Sequence, residues 1–177
     1  LKGQLDLAAL ERSFNAVAAR HESLRTTFTE HGDSFCQVIH PQLPLSIAVA
    51  ALPAGLDAAG SEAAIKAFVE SETARPFDLQ HGPLLRVALL EIGADDHVLV
   101  LIQHHIISDG WSMQVMVEEL VQFYAAHSQG REVHLPGLPI HYADYALWQR
   151  SWLEAGEKAR QLAYWQDLLG GEQPVLD

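Results

Sequence analysis

The stretch His97-Val98-Leu99-Val100-Leu101-Ile102-Gln103-His104-His105-Ile106-Ile107-Ser108-Asp109-Gly110 decides how this chain reads. From Val98 to Ile102 every position is apolar, odd and even alike. Successive strand residues face opposite sides, so a run apolar on both sides predicts a central strand over 97–105, covered on each face. A short loop then leads to Gly110, which opens a helix to about Ser128. Met113, Met116, Val117, Leu120, Val121 and Tyr124 recur there at helical spacing. Gly130 is the expected stop.

Upstream of this stretch, Leu84 to Ile92 reads as a strand, and Gly93-Ala94-Asp95-Asp96 turns it into a hairpin with the next. At the N-terminal end, Asp6 is a helix cap, and Leu7, Leu10, Phe14, Val17 and His21 share one helical face. Strand-forming text runs over Leu24–Phe28 and Ser34–Ile39, around a His31-Gly32-Asp33 turn. Leu45–Ala51 reads as another strand. Ser61 opens a helix to about Thr73, which Pro76 ends. Two helical stretches, roughly 142–154 and 157–169, close the chain, and Pro174-Val175-Leu176-Asp177 reads as a linker leading onward. The fold class expected is α/β, a mixed β-sheet flanked by helices lying on one side.

Composition narrows the function. The chain has 177 residues, 49% hydrophobic and 19% charged, which is one domain's worth of core-forming material. The longest uninterrupted apolar run, Ile47 to Leu52, is strand-sized and far short of a membrane span. No signal peptide is visible, and the composition suits a soluble, cytoplasmic domain. One cysteine, Cys36, rules out an internal disulfide and a Cys-based zinc cluster; it reads as a packing residue within a strand. Eleven basic against 23 acidic residues give a net charge of −12, which argues against nucleic acid as a partner.

The chemistry-bearing residues sit at the end of the central strand. If strand geometry persists there, His104 and His105 point to opposite faces, so that one enters a cleft while the other supports the fold. Neighbours on a strand cannot easily clasp one ion, which weighs against a metal site. Asp109 is placed either to cap the helix or to pair with a cation. Gly110 allows close backbone approach or a positive φ. A helix N-terminus favours a developing oxyanion, and an imidazole beside it is equipment for acyl transfer.

With these residues the chain resembles the N-terminal lobe of a condensation domain of a nonribosomal peptide synthetase. That family is related to chloramphenicol acetyltransferase and shares an HHxxxDG signature, matched here by His104, His105, Asp109 and Gly110. Arg20-His21-Glu22-Ser23-Leu24-Arg25-Thr26-Thr27-Phe28 resembles the family's upstream arginine motif. Tyr142-Ala143-Asp144-Tyr145-Ala146-Leu147-Trp148-Gln149 resembles its downstream aromatic motif. The resemblance spans residues 20 to 149. It implies a chloramphenicol acetyltransferase-like lobe over 1–177, truncated at both ends, because the family's first motif and its C-terminal lobe are both missing.

The resemblance further implies amide formation between a carrier-bound thioester donor and a carrier-bound aminoacyl acceptor. Donor and acceptor carrier proteins, and the absent C-terminal lobe, are the implied partners. No cofactor is implied beyond the carriers' phosphopantetheine arm, which enters as part of the substrate. Heterocyclising relatives lose both histidines, and epimerising ones read Val-Ser-Trp where this chain has Trp111-Ser112-Met113, so peptide-bond formation is favoured, most resembling the joining of two L-configured units. His105 is implied as the catalytic histidine, taking a proton from the amine or else orienting it, and His104 as structural. Asp109 is implied to form an ion pair that shapes the loop, with Arg25 the preferred partner and Arg20 second. Gly110 either presents its amide to the reacting carbonyl or simply permits the turn. Trp111 is expected to pack, as is the Tyr142, Tyr145, Trp148 face unless it docks a carrier, and His21 is expected to be buried. The acidic surface predicts that carrier docking relies on a local basic or apolar patch.

Three other readings stay open: a free-standing acyltransferase using a soluble thioester, a non-catalytic module that recruits partners, and a histidine–aspartate metal hydrolase. The isolated lobe is expected to have little or no condensation activity.

Overall fold

The computed structural model describes residues 1–32 and 34–171. Asp33 of the expected hairpin turn and the expected linker at Pro174–Asp177 therefore lie outside the described residues. Two compact units are present, Leu1–Leu138 and a second from Pro139 onward.

The first unit begins with α1 (Leu7–Arg20), capped by the Asp6 carboxylate accepting from the Ala9 amide at 2.8 Å. A 3₁₀ turn, Glu22–Arg25, leads into the antiparallel pair β1 (Thr26–His31) and β2 (Ser34–Ile39). The first strand thus starts two residues later than its sequence suggests. Every residue of β2 is exposed, Cys36 included, so the cysteine does not pack as expected.

The main sheet has the order β3–β4–β5: β3 (Ile47–Ala51) pairs parallel with β4 (Leu85–Gly93), which pairs antiparallel with β5 (Asp96–Gln103). The central strand is therefore β4. Strand β5, expected at the centre, lies at an edge among the described residues. An all-apolar run signals burial, and it does not say which of two such runs takes the middle. Val87 and Leu89 of β4 face Leu101 and Leu99 of β5. That face joins Leu10, Phe14 and Val17 of α1 and Met116, Leu120 and Phe123 of α3 (Gly110–His127) in the core. Burying each such leucine contributes about 2 kcal/mol.

Ala88 and Leu90 on the opposite face of β4 are buried too. Helix α2 (Ala58–Ala74), capped by Asp57 rather than opened by Ser61, packs near β4 and β5, and its half-buried Ile65, Phe68 and Val69 stay out of the main core. The helices therefore flank the sheet on both faces, not on one. This correction follows from β4 hiding its odd and its even side chains alike.

In the second unit α4 (Tyr142–Trp152) and α5 (Lys158–Leu169) are joined by a π turn, Leu153–Glu157, in which Gly156 takes φ +116°. That positive φ is open to glycine at little cost, and it breaks a helical pattern the sequence shows as two segments.

Candidate active site

Strand β5 stops at Gln103. One further ladder bond, from the His104 amide to the Leu84 carbonyl at 3.0 Å, carries the backbone past it. Then the Ile107 amide donates to the His104 carbonyl at 3.1 Å and closes a turn. The two histidines thus sit on a turn, and the strand alternation expected for them ends one residue earlier.

His104 points back to the protein. Its ring meets the edge of Phe77 at 5.8 Å between centroids and 89° between planes. The Arg86 guanidinium covers the same phenyl ring, 3.9 Å from its centroid. His104 Nδ1 accepts the Ile106 amide at 3.1 Å. His105, by contrast, is exposed.

Asp109 is the N-cap of α3: its Oδ1 accepts the Ser112 amide at 2.8 Å and the Ser112 hydroxyl at 2.7 Å. These bonds hold its carboxyl below the usual range, the Ser112 hydroxyl most and the Ser112 amide next, with the nearby His105 charge adding to the effect. The expected ion pair is replaced by this cap. Arg25 donates to the His40 carbonyl at 2.6 Å and contacts Glu22 at 3.3 Å. Arg20 pairs with Glu119 at 2.9 Å. Both arginines of the upstream motif are thus engaged elsewhere. Asp109, in an exposed loop, needs no buried counter-charge and finds its donors one turn ahead.

Gly110 starts α3 and its φ is not positive, so of the two readings given for it the positive φ does not apply. Gly110 is exposed, and a Cβ added there would meet nothing within 4 Å. Open amides at that end carry the positive pole of the helix.

Other expectations change. Trp111 is 79% exposed and does not pack. Tyr142, Tyr145, Trp148 and Trp152 form a stacked row along α4, with successive centroids 6.0, 5.7 and 5.7 Å apart, and Tyr142 and Trp148 are 62% and 57% exposed. Helical spacing correctly put them on one face but gave no partner for it. His21 is half-buried at the end of α1, its Nε2 2.7 Å from Glu119 Oε2. Buried Glu119 is therefore clamped from both sides by Arg20 and His21. It was missed in the sequence, where it lies among the polar positions of α3. Among the described residues no three His, Cys, Asp or Glu side chains gather as a metal site.

The family model of the condensation domain matches residues 1–177 in full, and the chain belongs to that family. It is 44% identical over 99% of its length to a linear gramicidin synthase polypeptide of Brevibacillus parabrevis, of which it spans 2%. Among solved structures, it is similar to the X-domain from teicoplanin biosynthesis, 32% identical with a TM-score of 0.86, over 99% of this chain and 38% of that one. It also resembles the EpoB cyclization-docking bidomain from Sorangium cellulosum, 29% identical with a TM-score of 0.81, over 99% of this chain and 34% of that one. The fold is therefore the chloramphenicol acetyltransferase-like α/β type, as expected. No helix among the described residues is long and apolar enough to cross a membrane.

Proposed function

We propose that this chain is the N-terminal lobe of a condensation domain and supplies the histidine wall of a site where two carrier-bound units are joined in the cytoplasm. Donor and acceptor carrier proteins present their substrates on phosphopantetheine arms, and a C-terminal lobe supplies the facing wall. The acceptor amine attacks the donor thioester carbonyl. A C–N bond forms, the C–S bond breaks, and the departing thiolate takes up a proton.

His105 receives the proton that the amine gives up, or orients that amine for attack. The amide of Gly110, at the positive end of α3, faces the carbonyl oxygen as it gains charge. His104 and Asp109 act on the geometry: one ties the turn to Phe77 and Ile106, the other caps the helix that follows. The observation that carries this reading is His105 standing exposed between the His104 turn and the Asp109 cap of α3. The match to a much longer synthase polypeptide supports the synthetase setting over a free-standing acyltransferase.

The test is amide formation by the intact protein that carries this chain, with both substrates loaded on carriers. His105→Ala should lower kcat by about 10²–10⁴-fold while carrier affinity stays unchanged. Unaltered turnover in that variant overturns the catalytic role. An intact protein that binds carriers and never forms product supports a recruiting module instead.

A further inference from the structure

Arg86, half-buried on β4, directs its guanidinium at backbone carbonyls. Nη2 donates to the carbonyls of Arg75 at 2.7 Å and Glu72 at 3.1 Å, and Nη1 to that of Pro76 at 3.2 Å. These carbonyls lie at and just beyond the C-terminus of α2, a helix with no basic residue in its own last turn. A cation suits that end, where the last carbonyls lack helical partners and carry the negative pole. Hydrogen bonding alone does not account for where the guanidinium lies, since its Nε is buried with no partner. The guanidinium also covers the ring of Phe77, the residue that follows Pro76, at 3.9 Å from the centroid. One side chain thus holds the end of α2 and the ring just after it.

The same ring meets His104, at 5.8 Å between centroids and 89° between planes. Sheet register brings the groups together. Arg86 stands opposite Ile102, and the last ladder bond runs from the His104 amide to the carbonyl of Leu84, two residues before Arg86. From His104 the line continues through Nδ1 to the Ile106 amide. His105 is exposed, and its two neighbours in sequence are the residues joined by that bond. Such support matters at a reacting group, where a misplacement of about 1 Å can cost about 10²-fold in rate.

We propose that Arg86 is a positioning residue for this site: acting through Phe77 and His104, it fixes the turn from which His105 projects. A planar fork can bond to several carbonyls and lie over a ring at once, which an ammonium group cannot. The bearing of Arg86 on catalysis rests on the proposed role of His105, whereas its bearing on the turn does not.

The test has two arms. The first uses the 177-residue chain and needs no turnover. In Phe77→Leu, which leaves the bonds from Arg86 to α2 in place, the His104 ring resonances should shift and the Ile106 amide should exchange faster, while the amides of β5 keep their rates. Arg86→Met should give the same pattern, and Phe77→Tyr, which keeps the ring, should resemble the unaltered chain. His104 resonances and Ile106 exchange that stay unchanged in both Phe77→Leu and Arg86→Met overturn the proposal. Acceleration spread evenly over β5 overturns it too, because that marks general destabilisation. The second arm is amide formation by the intact protein with carrier-loaded substrates. Phe77→Leu should lower kcat about tenfold with KM unchanged, and in a His104→Ala background it should lower kcat no further. An equal loss in both backgrounds shows that Phe77 acts by another route and overturns the line of contacts. If the unaltered protein forms no product, the proposed reaction fails and the first arm still decides what holds the turn.

Discussion

His104 Nδ1 accepts the backbone N–H of Ile106, two residues further on, at 3.1 Å. In the neutral ring this leaves the proton on Nε2. The bond and the Phe77 edge contact together hold the turn from which His105 projects. The two adjacent histidines are thereby divided in task by geometry: one is tied to the fold and the other left free.

His104→Asn should retain most of the activity and His104→Ala should lose more, because the asparagine carbonyl can still accept the Ile106 amide. The alanine variant forfeits one partly exposed hydrogen bond, about 1 kcal/mol. Hydrogen exchange at the Ile106 amide reads the bond directly. Faster exchange in His104→Ala, restored in His104→Asn, is the expected pattern, and identical exchange in both contradicts it.

Asp109→Ala should lower Tm by about 2–4 °C through loss of the α3 cap, and Asp109→Ser should recover most of that loss. Its carboxyl is held low by Ser112 in the folded chain. The stability it contributes is therefore complete above the ordinary carboxylate range and fades as pH falls through the depressed folded value. Acid titrations of Tm should show the two proteins converging only at the acid end. If Arg25→Ala lowered the acid stability in step with Asp109→Ala, the ion-pair role would stand and the cap account would fail.

Glu119→Gln should destabilise the chain by about 3 kcal/mol, since it strips a buried carboxylate from between Arg20 and His21 and leaves the arginine without its counter-charge. Combining it with Arg20→Leu should cost less than the sum of the single changes. Strict additivity in chemical denaturation would show that the two groups do not couple.

Much of this architecture was legible because it is locally encoded. The α1 cap at Asp6, the existence of helix α3, the β4–β5 hairpin and the break between α4 and α5 each follow from residues within a few positions of one another, whereas Val117 and Val121 of the expected α3 stripe stand exposed and Phe123 is buried instead. The histidine motif was legible for the same reason: His104, His105, Asp109 and Gly110 lie within seven consecutive residues. What failed were the expectations that named a charge partner for Asp109 and a central place for β5. Asp109 was assigned to Arg25 or Arg20, yet Arg20 is held by Glu119, 99 residues away in sequence. The aromatic face of α4 was assigned to core or lobe packing, or else to carrier docking, and Tyr142 and Trp148 stand exposed, because spacing reports a shared face without saying what covers it.

The sequence by itself determined the family, the element order and the identity of the histidine pair, since periodicity, capping and short motifs are properties of neighbouring residues. Only the tertiary structure decided that β4 takes the centre of the sheet, that helices cover both of its faces, and that Asp109 serves its own helix. These depend on which distant surfaces meet when apolar area is buried, and a one-dimensional pattern does not carry that information.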